Sequence, residues 1–121
     1  MKRTEERELA FKTIYAKFFN VDAGEEIEQG ESLEFISKIL NVYVDHNTEI
    51  NEIVSRHLKG YTVERLYKID LAIIILAVIE LKFIKETPKE VIINEAVELA
   101  KKYSTEKSPR FINGVLADIV K

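Results

Sequence analysis

The densest chemistry in this chain lies in eleven residues, Lys101-Lys102-Tyr103-Ser104-Thr105-Glu106-Lys107-Ser108-Pro109-Arg110-Phe111, which hold four cations, one carboxylate and two aromatic rings. Cations beside rings suit single-stranded RNA, because a base stacks on the ring while the charge neutralises the phosphate. Ser108-Pro109 is also a helix-start signal, and the free N–H groups and dipole of a helix N-terminus attract phosphate. The same residues also fit a plainer arrangement. In it, Tyr103 and Phe111 belong to the core and the lysines are a solvated helix end.

A second basic-aromatic arrangement opens the chain, where Lys2, Arg3 and Arg7 precede Lys12. On a helix, Arg3 and Arg7 fall within about 40° of each other, and Tyr15 falls about 80° from Arg7. Such a stripe can hold a phosphate and a base. Glu5, Glu6 and Glu8 offset its charge, so an amphipathic helix with i,i+4 ion pairs explains the pattern equally well. Further on, Asn94 and Glu95 interrupt the apolar run Ile92–Ala100. Polar groups placed there need hydrogen-bond partners, and a structural network is the favoured reading.

Other chemistry is missing. His46 and His57 stand eleven residues apart, with no carboxylate at a metal-ligand spacing around them. There is no cysteine, which removes thiolate sites and disulfides. The four glycines are isolated, so no phosphate-cradling loop exists, and no Gly-x-Ser-x-Gly elbow occurs. No catalytic residue, metal or cofactor is expected. The net charge of −3 argues against sequence-blind coating of duplex DNA but permits a local basic patch. No signal-peptide pattern opens the chain, and the apolar stretch Ile69–Ile84 contains Asp70, Glu80 and Lys82 and is too short to span a bilayer. A cytoplasmic protein without membrane contact is the expectation.

The elements that must position these residues read as helices throughout. A chain of 121 residues is long enough for one domain, or for one domain built of two packed helical halves. Leu9, Ala10, Ile14 and Phe18 mark a helix over residues 4–20, and the acidic, glycine-containing residues 21–31 read as a loop. Leu33, Ile36, Ile39, Leu40, Tyr43 and Val44 mark a second helix. Thr48 is a candidate cap for a third, with Ile50, Ile53, Val54 and Leu58 inward and Gly60 at its end. Thr62 can cap a short turn into a central helix over 69–84 that is apolar nearly all round. Thr87-Pro88-Lys89-Glu90 has the form of a capping box for a helix running to about Tyr103. Ser108-Pro109 starts the last helix, over 109–120.

Several blocks resemble the NusB transcription antitermination family. Arg7-Glu8-Leu9-Ala10 followed by Ile14-Tyr15 is similar to its opening, and Ile69-Asp70-Leu71-Ala72-Ile73 leading to Glu80-Leu81 to its central helix. The most specific blocks are Pro88, then Val91-Ile92-Ile93-Asn94-Glu95-Ala96-Val97-Glu98-Leu99-Ala100-Lys101, then Phe111-Ile112-Asn113-Gly114-Val115-Leu116. They keep the family's order and spacing and span nearly the whole chain.

The resemblance implies an all-α bundle of about six to seven helices in two packed subdomains, about 1–60 and about 61–121. It implies an RNA-binding adaptor that takes the single-stranded boxA element of nascent RNA jointly with the ribosomal protein NusE, then joins other Nus factors on RNA polymerase. Carried over by position, Lys2, Arg3 and Arg7 match the basic N-terminal arm, Tyr15 the aromatic of the first helix, and Arg110 and Phe111 the basic-aromatic pair before the Asn-Gly turn. Asn113 and Gly114 are expected to shape the helix rather than touch the ligand. Glu64 and Asp70 match acidic positions near the RNA and partner surface. The chain departs from the family in Glu5 and Glu6, which sit where positive charge is usual. It departs again in Ile74-Ile75, where Leu-Arg is common, and in Lys107, which stands where some members are acidic and should favour RNA. An accessory recognition subunit for an RNA methyltransferase, or a protein-binding scaffold that forms a homodimer, would use the same helical domain.

Overall fold

The long apolar stretch forms the centre of the molecule. In the computed structural model, which describes residues 2–20 and 31–121, every residue from Asp70 to Glu80 is buried. Six α-helices are present among these residues: α1 (Arg3–Lys17), α2 (Glu31–Asp45), α3 (Asn47–Arg56), α4 (Lys68–Val78), α5 (Lys89–Tyr103) and α6 (Ser108–Ile119). The all-α architecture is therefore as expected, and no strand occurs in the described residues. Apart from Glu31, which opens α2, the expected loop over 21–31 lies outside them.

α4 has no polar face because α1, α3, α5 and α6 all pack on it. Ile73, Ile74, Ile75 and Ile79 form the middle of a single core with Ile14, Ile36, Ile39, Ile50, Ile92, Ile112 and Leu116 around them. Truncating one such isoleucine to alanine costs about 2–5 kcal/mol, since packed neighbours cannot fully refill the space. α4 continues into a wide π-turn over Ile79–Ile84, in which the Lys85 N–H donates to the Glu80 carbonyl at 2.9 Å. Lys85 ends the turn in the left-handed region, φ 56°.

Helix direction follows from cross-helix contacts. Thr4 meets Glu95 and Glu8 meets Lys102, so α1 runs parallel to α5. Asp70, at the start of α4, meets Ser104, at the end of α5, so α4 runs against both. Gly60, at φ +79°, lets the chain leave the end of α3 through a conformation that side chains disfavour. A single 3₁₀ turn (Val63–Arg65) then leads into α4.

The cap signals locate helix starts but mispredict their bonds. α5 begins at Lys89 with Pro88 at its cap, and the Thr87 hydroxyl accepts from Arg7 Nη2 at 3.3 Å instead of closing a capping box. α3 begins one residue before Thr48, with His46 at its cap. Val44, one of the residues that mark α2 in the sequence, is exposed.

Candidate nucleic-acid interface

The start of α6 is fixed from below by Asp70. This carboxylate is 3 % exposed and accepts from the Ser104 hydroxyl at 2.5 Å and the Ser108 hydroxyl at 3.0 Å. Ser108 Oγ in turn accepts the Thr105 N–H at 3.2 Å. Asp70 was expected at a partner surface. The structure corrects this, because a carboxylate that seats two hydroxyls beneath the α5–α6 turn is not presented to a partner. Ser108 is the first residue of α6 rather than its cap. Its N–H donates to the Thr105 carbonyl at 3.1 Å, and Pro109 has no N–H, so this helix end offers phosphate fewer backbone donors than expected.

Above that foundation, side chains supply what the backbone does not. Phe111 is half-buried and meets Tyr61 edge-on, with ring centroids 5.8 Å apart and planes at 67°. Tyr61 and Tyr67 are exposed. On one side of the Tyr61–Phe111 pair lies a cavity of about 420 Å³ between His57, Lys59, Arg110 and Gly114. On the other lies one of about 380 Å³, walled by Arg65, Tyr67 and Lys107 over Asp70. Arg110 and Lys107 are exposed, and neither has a carboxylate within ion-pair distance among the described residues. Glu64 is exposed on the neighbouring 3₁₀ turn.

Sequence reasoning missed half of this surface. Lys59, Tyr61, Arg65 and Tyr67 come from the connector between α3 and α4. The signal was available, since the nine residues Lys59–Tyr67 hold two cations and two rings behind a glycine.

The other half of the Lys101–Phe111 stretch turns away. Tyr103 donates its hydroxyl to Glu8, Lys102 Nζ lies 3.0 Å from the same carboxylate, and Lys12 Nζ lies 3.6 Å from it. Both lysines also lie over the Tyr103 ring, at 5.3 and 5.4 Å. The Tyr103 hydrogen bond, reinforced by Lys102, holds the Glu8 carboxyl below its ordinary 4.5. Lys101 pairs with Glu98 at 3.3 Å. Tyr103 and Lys102 thus tie α5 to α1, Lys101 is paired within α5, and all three are already partnered.

The N-terminal stripe does not survive as one site. Arg7 is 4 % exposed and grips Glu80 with two bonds, Nε at 2.8 Å and Nη2 at 3.0 Å. Its Nη1 lies 3.9 Å from Glu95, which also accepts the Thr4 hydroxyl at 2.8 Å. The expected phosphate contact from Arg7 is therefore corrected: its guanidinium is buried and joins α1 to the end of α4. Glu95 belongs to that network, as the structural reading held, whereas Asn94 is exposed. Arg3 stacks over Phe35 at 4.0 Å and pairs with Glu6 at 2.9 Å while remaining half-exposed. Lys2 is exposed. Tyr15 is half-buried among the Phe11, Phe18 and Phe19 rings. It lies about 18 Å of helical rise from Arg3, too far to share one phosphate-and-base contact.

The histidines are held apart from any metal geometry. His57 Nδ1 lies 2.7 Å from Asp118, and His46 Nδ1 lies 2.8 Å from Glu49. No cluster of three or more potential metal ligands occurs among the described residues. None of their helices is long and apolar enough to cross a membrane.

Comparison with known proteins gives a consistent result. The model of the NusB family matches residues 4–121. The transcription antitermination protein NusB of Finegoldia magna is 37% identical over 130 aligned residues, covering 100% of this chain and 95% of that protein. The solved structure of T. maritima NusB superposes with a TM-score of 0.91 at 30% identity, covering 98% of this chain and 90% of the other. A chain from a crystal structure of the antitermination factors NusB and NusE in complex with dsRNA superposes at 0.83 and 30% identity, covering 98% and 97%.

Proposed function

The chain belongs to the NusB family of antitermination factors rather than to a class of enzymes, and on that premise we propose that it binds the single-stranded boxA element of nascent RNA jointly with the ribosomal protein NusE. The pair then joins other Nus factors on RNA polymerase. The observation that carries this reading is the exposed Arg110, with no ion-pair partner among the described residues, beside Phe111 and Tyr61 on a start of α6 seated on Asp70. The solved relative, NusB with NusE in complex with dsRNA, supports the choice of NusE and of RNA as partners.

Lys107 and Arg110 neutralise phosphates, and Phe111 offers a stacking face. Lys2 and Arg3 supply further cations at the far end of α1, and Tyr15 a further ring. Glu64 meets a cation of the partner protein. Arg7 acts only by holding α1 in place. A strand that reaches both the α6 start and the N-terminal cations must cover at least the length of the enclosed α4, about 15 Å from Asp70 to Glu80, passing over the helices that pack on it. With few phosphate contacts on an acidic protein, binding alone is modest and falls with salt in proportion to those contacts, and the ribosomal partner tightens it.

The test is a fluorescence titration of a boxA oligonucleotide with and without that partner. Replacing Arg110 and Phe111 together with Ala is expected to weaken binding by about 1–3 kcal/mol. Undiminished affinity in the double variant removes the proposed site.

A further inference from the structure

We propose that the groove between the end of α3 and the exposed side of α6 is a second nucleotide subsite, which carries the RNA strand onward from Phe111 past Gly114 to Lys59. This rests on the RNA-binding reading above and extends it to residues that reading does not use.

Gly114 is the starting point. Glycine inside a helix is less stable than alanine, so it needs a reason. Its backbone is not left-handed, since Gly60 alone has that conformation among the described glycines. Packing gives no reason either, because a Cβ built at Gly114 meets nothing within 4 Å. The expectation that Gly114 shapes the helix therefore finds no support inside the protein. What glycine provides is a bare strip of helix in the wall of the 420 Å³ cavity, one turn beyond Arg110 on the same face.

The charge of the groove identifies the occupant. Its one side-chain carboxylate, Asp118, is already engaged by His57 at 2.7 Å and by Lys121 at 3.8 Å. Lys59 and Arg110 face the same space with no ion-pair partner among the described residues. An anionic ligand is favoured. The Tyr61–Phe111 ring pair at the mouth adds a stacking surface, while no large aliphatic side chain is exposed there to anchor a protein. A base stacked on those rings brings its sugar and phosphate over Gly114, where the missing side chain allows close approach.

The experiment measures RNA anisotropy and thermal stability for the full chain, three single variants and the Arg110→Ala/Phe111→Ala double variant. Gly114→Ala is expected to melt at or above the wild-type temperature. Gly114→Leu fills the groove and should weaken RNA binding on the order of tenfold, the loss of one stacked base. Lys59→Gln should reduce the slope of log affinity against log salt by about 0.7, the value for one single-strand phosphate contact. If Arg110→Ala/Phe111→Ala weakens RNA binding while Gly114→Leu and Lys59→Gln do not, the groove is not on the RNA path and this proposal fails alone. If the wild type binds no RNA, the underlying reading fails first. Weakened binding of the ribosomal partner with unchanged RNA affinity would make the groove a protein surface and overturn the proposal. So would a Gly114→Ala variant that melts well below wild type, because glycine would then have an internal role. Should Gly114→Leu not fold, the Lys59→Gln slope decides.

Discussion

Arg7 and Arg110 carry the same side chain on helices flanked by aromatic rings, yet the fold gives them opposite surroundings. Arg7 lies over Phe35 at 5.8 Å and is enclosed where α1 crosses the end of α4 and the start of α5. Three polar groups from distant parts of the chain converge on it there. Arg110 lies on the outer side of α6, beside Phe111, with open cavity in front of it and no carboxylate within reach among the described residues. The difference teaches what makes an arginine available to a ligand. A buried guanidinium must be fully paired inside the protein, and once paired it has no bond left for phosphate. An exposed one without a partner keeps its donors for whatever docks.

The comparison can be broken most directly at Arg7. Arg7→Met is expected to lose about 3–5 kcal/mol of stability in chemical denaturation, because Glu80 is left charged and buried. Adding Glu80→Leu should return most of that loss. The folded fraction of either variant should bind RNA like wild type. An Arg7→Met protein of normal stability but poor RNA affinity would reverse the roles assigned to the two arginines.

Arg110 supplies the mirror experiment. Arg110→Ala alone should leave the unfolding midpoint nearly unchanged, as surface changes without partners do. RNA affinity should fall, with a shallower salt dependence by about 0.7 in the log–log slope. Asp70→Asn occupies a middle position, because it weakens the seat of α6 without touching the surface. A cost of about 1–3 kcal/mol in stability is expected, with RNA affinity falling as α6 loosens. A variant that destabilises but binds RNA fully would show that the α6 start need not be rigid.

The smallest effect belongs to Glu8, on the partnered side of the α5 end. Its carboxyl is held below the ordinary 4.5 by Tyr103 and then Lys102, so its contribution is present above that pH. It disappears as pH falls through the lowered value, when the carboxylate is protonated in the folded state as well. Melting temperature followed below pH 4.5 should therefore decline less steeply in Glu8→Gln than in wild type. Equal slopes would mean that the Glu8 tie adds nothing in solution.

The helices were legible because helical period and start signals are local. The Ser108-Pro109 and Pro88 signals place α6 and α5 to within about a residue. The hydroxyls beside them were misread, because Thr87 bonds Arg7, 80 positions away, and Ser108 bonds Asp70, 38 positions away. The π-turn after Val78 carries no local signature, and it sits where the Glu80 carboxylate is aimed at α1. Tyr61 and Tyr67 escaped notice because they lie in a connector that sequence reading treated as a turn.

By itself, the sequence determined that this chain is helical, that its middle helix is enclosed, and that the residues before Phe111 begin a helix with cations at its start. Each of these depends on neighbours within a few positions along the chain. Only the tertiary structure decided which cations are free. Charge in a sequence says nothing about whether a carboxylate 73 residues away will arrive within 2.8 Å, as Glu80 does for Arg7. Packing around α4 brings that carboxylate in, and the same packing leaves Arg110 facing open space.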